Sequence, residues 1–332
     1  MSKDQMFAKV VLASKPTNGA PPIITIHARY PRIIHAEIMT HRVFSRNARS
    51  SRAVPVATML KEIRETPFVP WHWGANQKGM QAGAECDELI VVGSHWEGGP
   101  HNDREVKHER SREAAWLLAR DEAVHYADAF SNAGYHKQIA NRLIEPFSFI
   151  DTLITSTSWA NFLHLRDHTA AEPHFQDLAA MFREAIEGAD YEPLEPGQWH
   201  LPYVPHWERS DIVKAVTGKM WQQDWDEYDR LALAKISVAR CARISYKPFD
   251  GDASIEKELE RYDLLVGSSP LHASPAEHQA TPDKLTDPIR ESYRGASGTY
   301  RTWEKPHLAG NLGPGWVQFR KTLPGEYVAD AA

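Results

Sequence analysis

Strand-like and helix-like stretches follow one another along this chain without a repeating β–α–β rhythm, and that irregularity constrains the fold most. A doubly wound parallel sheet needs a helix between successive strands, so the pattern favours an α+β fold, with mixed helices around a central sheet. Residues 22–30 (PIITIHARY) alternate apolar and polar with β-branched side chains and predict a strand. Pro31 suits a first helical turn, after which Ile34, Ile38 and Met39 make an apolar stripe through His41. Residues 44–55 read as a loop of short polar residues and arginines, and 66–83 as an ordered irregular loop. A long helix is predicted over 103–133, capped by Gly134, and a second runs to Leu143 and is stopped by Pro146. The β-rich stretch 147–157 precedes a helix capped by Ser158, and another helix follows Pro173 and ends at Gly188. Residues 231–246 change from helical to strand character, Ser254 caps a helix closed by Gly267, and 268–316 is polar loop.

At 332 residues the chain makes one large domain or two ordinary ones, at about 150 residues each. The proline-rich stretch 193–207 is the natural boundary, dividing the chain into 1–207 and 208–332. A formal charge of −6 argues against a nucleic-acid coat, so any anion site must be a local patch. Two cysteines, Cys86 and Cys241, offer neither a disulfide framework nor a CxxC metal site, which fits a reducing, cytoplasmic setting. Neither a signal peptide nor a membrane span is expected. The 17 histidines include no HExxH spacing, so no metal is expected either.

The densest chemical cluster is HRVFSRNARSSR (41–52), where four arginines stand without an acid among Ser45, Asn47, Ser50 and Ser51. Helical or tightly coiled backbone would bring several guanidinium forks to one side, which a phosphate or carboxylate site needs. The alternative is a solvated basic turn. A second cluster, HASPAEH (272–278), sets two imidazoles and a carboxylate beside a proline turn, and a third holds Asn161 and Arg166 in SWANFLHLRDH. GNLGPG (310–315) has dinucleotide-motif spacing without the strand–helix setting that gives such glycines their function, and no GxxxxGK[ST] loop is present.

His41-Arg42 followed by Ser45, Asn47, Ser50 and Arg52 resembles the signature of flavin-dependent thymidylate synthases. HKQIANRLIEP (136–146) is similar to the family block that carries a nucleotide-binding arginine, here Arg142. STSWANFLHLR (156–166) is similar to the block whose last arginine, here Arg166, polarises the pyrimidine. ARCARISY (239–246), the helix after Ser254 and HASPAEH resemble the family's N-terminal block, yet here they come last, as in circularly permuted, phage-type relatives. Permutation is physically reasonable because the termini of compact domains often lie close together. The sequence departs from the family at Thr40, Ala48 and Ala53, and Glu37 stands where a glutamine is usual.

The resemblance implies methylation of dUMP to dTMP with methylenetetrahydrofolate as one-carbon donor and FAD recharged by NADPH. Arg166 would stabilise charge on the pyrimidine, while Glu37, Arg42, Ser50, Arg52 and Arg142 would hold the nucleotide. His41, Asn47, Asn161, Ser245, His272, Ser274 and Glu277 would line the flavin, in a homotetramer with sites shared between subunits. Glu37 leaves dCMP open as the substrate, and otherwise its carboxylate pairs with Arg42 or Arg46. A non-catalytic nucleotide-binding relative and a histidine-based metal hydrolase are the other classes.

Overall fold

In the computed structural model, which describes residues 2–79, 81, 83–98, 104–219, 225–244, 252–293 and 296–328, β1 (Phe7–Pro16) and β2 (Ile23–Pro31) pair antiparallel. A short turn of helix, α1 (His35–Ile38), leads to β3 (Ser45–Ala48) and α2 (Val56–Glu65). The hairpin β4 (Ile90–Glu97) and β5 (Arg104–Arg110) precedes the long α3 (Arg112–Asn132) and the single turn α4 (Lys137–Ala140). Then come β6 (Phe149–Ser156), α5 (Ala160–Arg166), α6 (Pro173–Glu187) and β7 (Glu192–Leu194). Helices α7 (His206–Thr217), α8 (Glu227–Ala242) and α9 (Ile255–Val266) follow. Short strands β8 (Ala280–Pro282), β9 (Ile289–Tyr293), β10 (Ala296–Tyr300) and β11 (Trp316–Gln318) finish the chain.

The fold is α+β. Its five-stranded sheet has the order β3-β6-β2-β1-β7, antiparallel except for β7, which runs parallel to β1. Strand alternation decides what β2 covers. Ile24, Ile26, Ala28 and Tyr30 enter the main core with Ile150 and Ile154 of β6 and Phe175, Leu178 and Phe182 of α6. Each such fully buried side chain contributes roughly 1.5–3 kcal/mol, which outweighs the ~1 kcal/mol of a helix cap. Burial therefore fixes how α6 sits on the sheet. A second core joins α7, α8 and α9 through Ile212, Leu233, Ile236 and Tyr262.

Several expectations need correction. Residues 45–48 are strand rather than loop, because β6 offers a free edge and pairs Ser45↔Thr155 through Ala48↔Thr152 whatever their intrinsic preference. Residues 104–110 belong to a hairpin, so the long helix starts after Ser111, whose side chain accepts from the Ala114 amide. Helix α8 runs unbroken to Ala242 because Ile236 and Val238 are buried against the second core. Met39 is exposed, so the stripe after Pro31 ends at Ile38. Ser158 caps nothing: its amide bonds Ser156 Oγ, and α5 begins one residue later, behind Trp159. The stretch 193–207 does more than link, since β7 extends the sheet and His200 reaches β1 and β2. Gly134 (φ +85°) and Gly188 close their helices as expected. Among the described residues no helix is long and apolar enough to cross a membrane.

Candidate functional site: two clefts around Arg46

The arginines of 41–52 do not gather at one point: Arg46 lies in β3, while Arg42, Arg49 and Arg52 lie in the segments before and after it. Arg49 turns to α2 and forms a two-pronged pair with Glu62, both N···O distances 2.8 Å, so it is spent on structure. Arg46 donates through Nη1 to the carbonyls of Ile38, Met39 and His41 at 3.3, 2.8 and 3.2 Å, clamping the end of α1. Its guanidinium charge is opposed at a distance by the Glu277 carboxylate. Arg42 and Arg52 are exposed.

Two clefts meet at Arg46. The first, about 670 Å³, is walled by Ser50 and Arg52 from the signature, His136 and Lys137 at the start of α4, and His272 and Ser274 from the late block. Met39, Leu265 and Pro275 add apolar surface. The late block is held against β3: the Asn47 amide donates to the Cys241 carbonyl at 2.9 Å. Asn47 also lines this cleft, with one of its amide hydrogens so engaged. The turn carrying Ser50 and Arg52 is braced from below. Buried Asn141 donates to the carbonyls of Ser51 and Val54 at 2.7 and 2.9 Å, and Lys137 to that of Ala53 at 2.9 Å. These braces lie in the block quoted for Arg142, but sequence reading singled out the arginine alone. Arg142 itself is exposed and lines neither cleft.

The second cleft, about 690 Å³, holds Arg42, Arg46 and Glu277 against His307, Asn311, Arg320 and Lys321. Glu277 pairs with Arg320, and burial pushes its carboxyl above the usual range. Sequence reading named Arg42 and Glu277 but missed His307, Asn311, Arg320 and Lys321. For those four the signal was GNLGPG, and its glycines serve a turn: Gly310 has φ +58°, and a Cβ there would collide with the Gln318 amide oxygen.

Arg166 stands apart from both clefts, at the end of α5. Its Nε donates to His41 Nε2 at 3.1 Å, while Nη1 meets Glu37 and Nη2 meets Thr40, each at 3.3 Å. The Phe175 ring lies 4.7 Å beneath the guanidinium. His41 must be neutral to accept, and burial, with help from Arg166 and Arg46, lowers its pKa to about 4. Glu37 is therefore spent on Arg166 rather than on Arg42 or Arg46. Three of the five guanidinium N–H groups are used, which leaves two without partners among the described residues.

The structure thus gathers Glu37, His41 and Arg166 in one place, Ser50, Arg52, His272 and Ser274 in a second, and Arg42 and Glu277 in a third. Asn161 is exposed on the first turn of α5, outside all three, and Ser245 lies outside the described residues. Cys241 is buried, its thiol pushed up by burial and hydrogen-bonded by Gln279, so it is no nucleophile. Among the described residues no three His, Cys, Asp or Glu side chains are arranged to hold a metal ion. Comparison of the chain with models of known protein families and with the curated proteins gives no match.

Proposed function

We propose that the protein is a permuted flavin-dependent enzyme that methylates dUMP to dTMP with methylenetetrahydrofolate and NADPH. One observation carries the reading: the late block, His272 and Ser274, shares a cleft with Ser50 and Arg52 of the signature, two stretches more than 200 residues apart. The donor set fits a flavin beside a nucleotide. Arg52 and Lys137 supply charge for phosphate, Met39, Leu265 and Pro275 supply apolar surface for a ring, and about 670 Å³ accommodates a cofactor-sized ligand. FAD would supply the hydride, and the protein would supply position and charge.

With Cys241 inert, activation of the pyrimidine falls to electrostatics rather than to thiolate attack. Arg166 keeps its proton, so it acts by stabilising negative charge on the ring through its two remaining N–H groups. His41, neutral, fixes the fork by accepting from Nε. Because Glu37 is tied to Arg166, it is not poised to accept from a cytosine amino group, which favours uracil.

Arg166 lines neither cleft, which suits a homotetramer whose sites take one half from each of two copies. Exposed Tyr135, Ile139 and Leu143 around Arg142 would then bury against the neighbour. The test supplies dUMP and dCMP separately with methylenetetrahydrofolate, FAD and NADPH. Yellow protein that yields dTMP supports the reading, and a modified dCMP with dUMP inert moves the substrate to cytosine. Colourless protein that binds nucleotide without turnover replaces catalysis with binding.

A further inference from the structure

We propose that the second cleft is a preorganised receptor for a phosphate-bearing ligand of at least two negative charges, separate from the cleft of Ser50 and Arg52. Charge is the first ground. Arg42 has no partner among the described residues, and Arg46 spends its hydrogen bonds on neutral carbonyls, its charge opposed only in part by Glu277, which Arg320 already pairs. Across the cleft, Arg320 and Lys321 share two carboxylates, Glu277 and Glu326. Four cations against two acids leave a local excess of two positive charges in a chain of net charge −6.

An oriented donor is the second ground. Gln318, 1% exposed, donates from Nε2 to the Glu277 backbone carbonyl at 2.9 Å, an oxygen that only accepts, so the orientation of this amide is fixed. The same nitrogen lies 2.9 Å from Asn311 Oδ1, which also accepts from Ser45 Oγ at 3.0 Å. Asn311 is thereby held by its oxygen, and its Nδ2 hydrogens, without a partner among the described residues, remain for whatever enters the cleft. Guanidinium forks with a fixed amide donor suit the tetrahedral oxygens of phosphate, and charges on opposite walls favour two linked phosphates over one. This also gives the stretch 306–321 a purpose: Gly310 lets the backbone pass Gln318 so that Asn311 reaches the cleft.

The proposal does not depend on the flavin reading, because its test is a binding isotherm on the purified chain without turnover. Pyrophosphate, inorganic phosphate and citrate are titrated separately by calorimetry at about 50 mM salt, where screening is modest. Saturable binding of pyrophosphate, tighter than of phosphate or citrate, is expected. Arg42→Gln, at an exposed position, and Asn311→Asp should each weaken it by about tenfold or more, the loss of one charge-assisted contact. Ser45→Ala, which removes one of the two hydrogen bonds that hold Asn311 Oδ1, should weaken it severalfold, whereas Arg52→Gln should leave it unchanged. No saturation, or indifference to Arg42→Gln, overturns the site. Preferred binding of citrate overturns the ligand class, and competition by dUMP overturns the separateness of the two clefts.

Discussion

Acidification from pH 7 to pH 5 should destabilise this protein through two histidines sealed beneath the sheet. Ser14 Oγ bonds His200 Nδ1 at 2.8 Å, and His200 Nε2 meets Thr25 Oγ1 at 2.9 Å. Thr25 meets Thr155 at 2.6 Å, and Thr155 meets His278 Nδ1 at 2.8 Å. Both rings are 0% exposed, and His278 Nε2 has no partner among the described residues. A proton on either ring would be a buried charge facing hydroxyls, with no carboxylate in the chain of bonds. Burial accordingly lowers both pKa values to about 3, aided at His200 by His278 and Arg209. The unfolded chain takes up a proton at each histidine below about pH 6.5, whereas the folded protein does not until about pH 3. Stability from these groups is therefore complete above the unfolded pKa and is lost as pH falls. Between pH 7 and pH 5 the loss is about 2 kcal/mol for each histidine and about 4 kcal/mol for the pair. Neutral His35 and His41, each near 4, add to the slope in the same direction, and Glu277, held high by burial, opposes it towards the acid end. The difference between variants isolates one ring. His278→Asn keeps an amide towards Thr155 and cannot take up the proton, so its urea-derived stability should fall by about 2 kcal/mol less than wild type over that range. Equal pH slopes in wild type and His278→Asn would refute the reasoning.

Arg166→Ala should lower turnover by a hundredfold or more, about 3 kcal/mol, while nucleotide binding falls less, as read by steady-state kinetics beside calorimetry. Arg52→Ala should raise the nucleotide Kd by the ~1.5–3 kcal/mol of a charge-assisted contact and keep flavin absorbance, and a colourless variant that still binds nucleotide would reverse the assignment. Asn141→Ala leaves the Ser51 and Val54 carbonyls without their donor and should cost about 2 kcal/mol in urea unfolding, with greater proteolytic sensitivity near residue 53.

The allocation of the arginines in 41–52 separates what composition says from what geometry decides. All four look alike in sequence, yet Arg49 is a structural strut, Arg46 a clamp between two clefts, and only Arg42 and Arg52 stand exposed at cleft walls. A helical spacing argument pools them. The short strand sorts them, because it holds only Arg46 and leaves Arg42 in the turn before it, Arg49 just beyond its end and Arg52 in the turn after it.

Local patterning made the central strand, the caps at Ser254, Gly134 and Gly188, and the apolar face of α6 legible, since each depends on neighbours a few residues away. Strand β3 was not legible, because Ser-Arg-Asn-Ala carries no strand preference and takes its form from β6, more than 100 residues later. The same separation hid half of the site. Asn311 and Gln318 look like ordinary loop amides until Ser45 and the Glu277 carbonyl are set beside them, across gaps of 266 and 41 residues. Arg166 and Glu37, 129 residues apart, were each read alone, one as a catalytic group and the other as a guide to the base. Their ion pair couples those two roles. In the proposed reaction a substitution that removes the Glu37 carboxylate would change the field around Arg166, so substrate choice and rate would be coupled at this position.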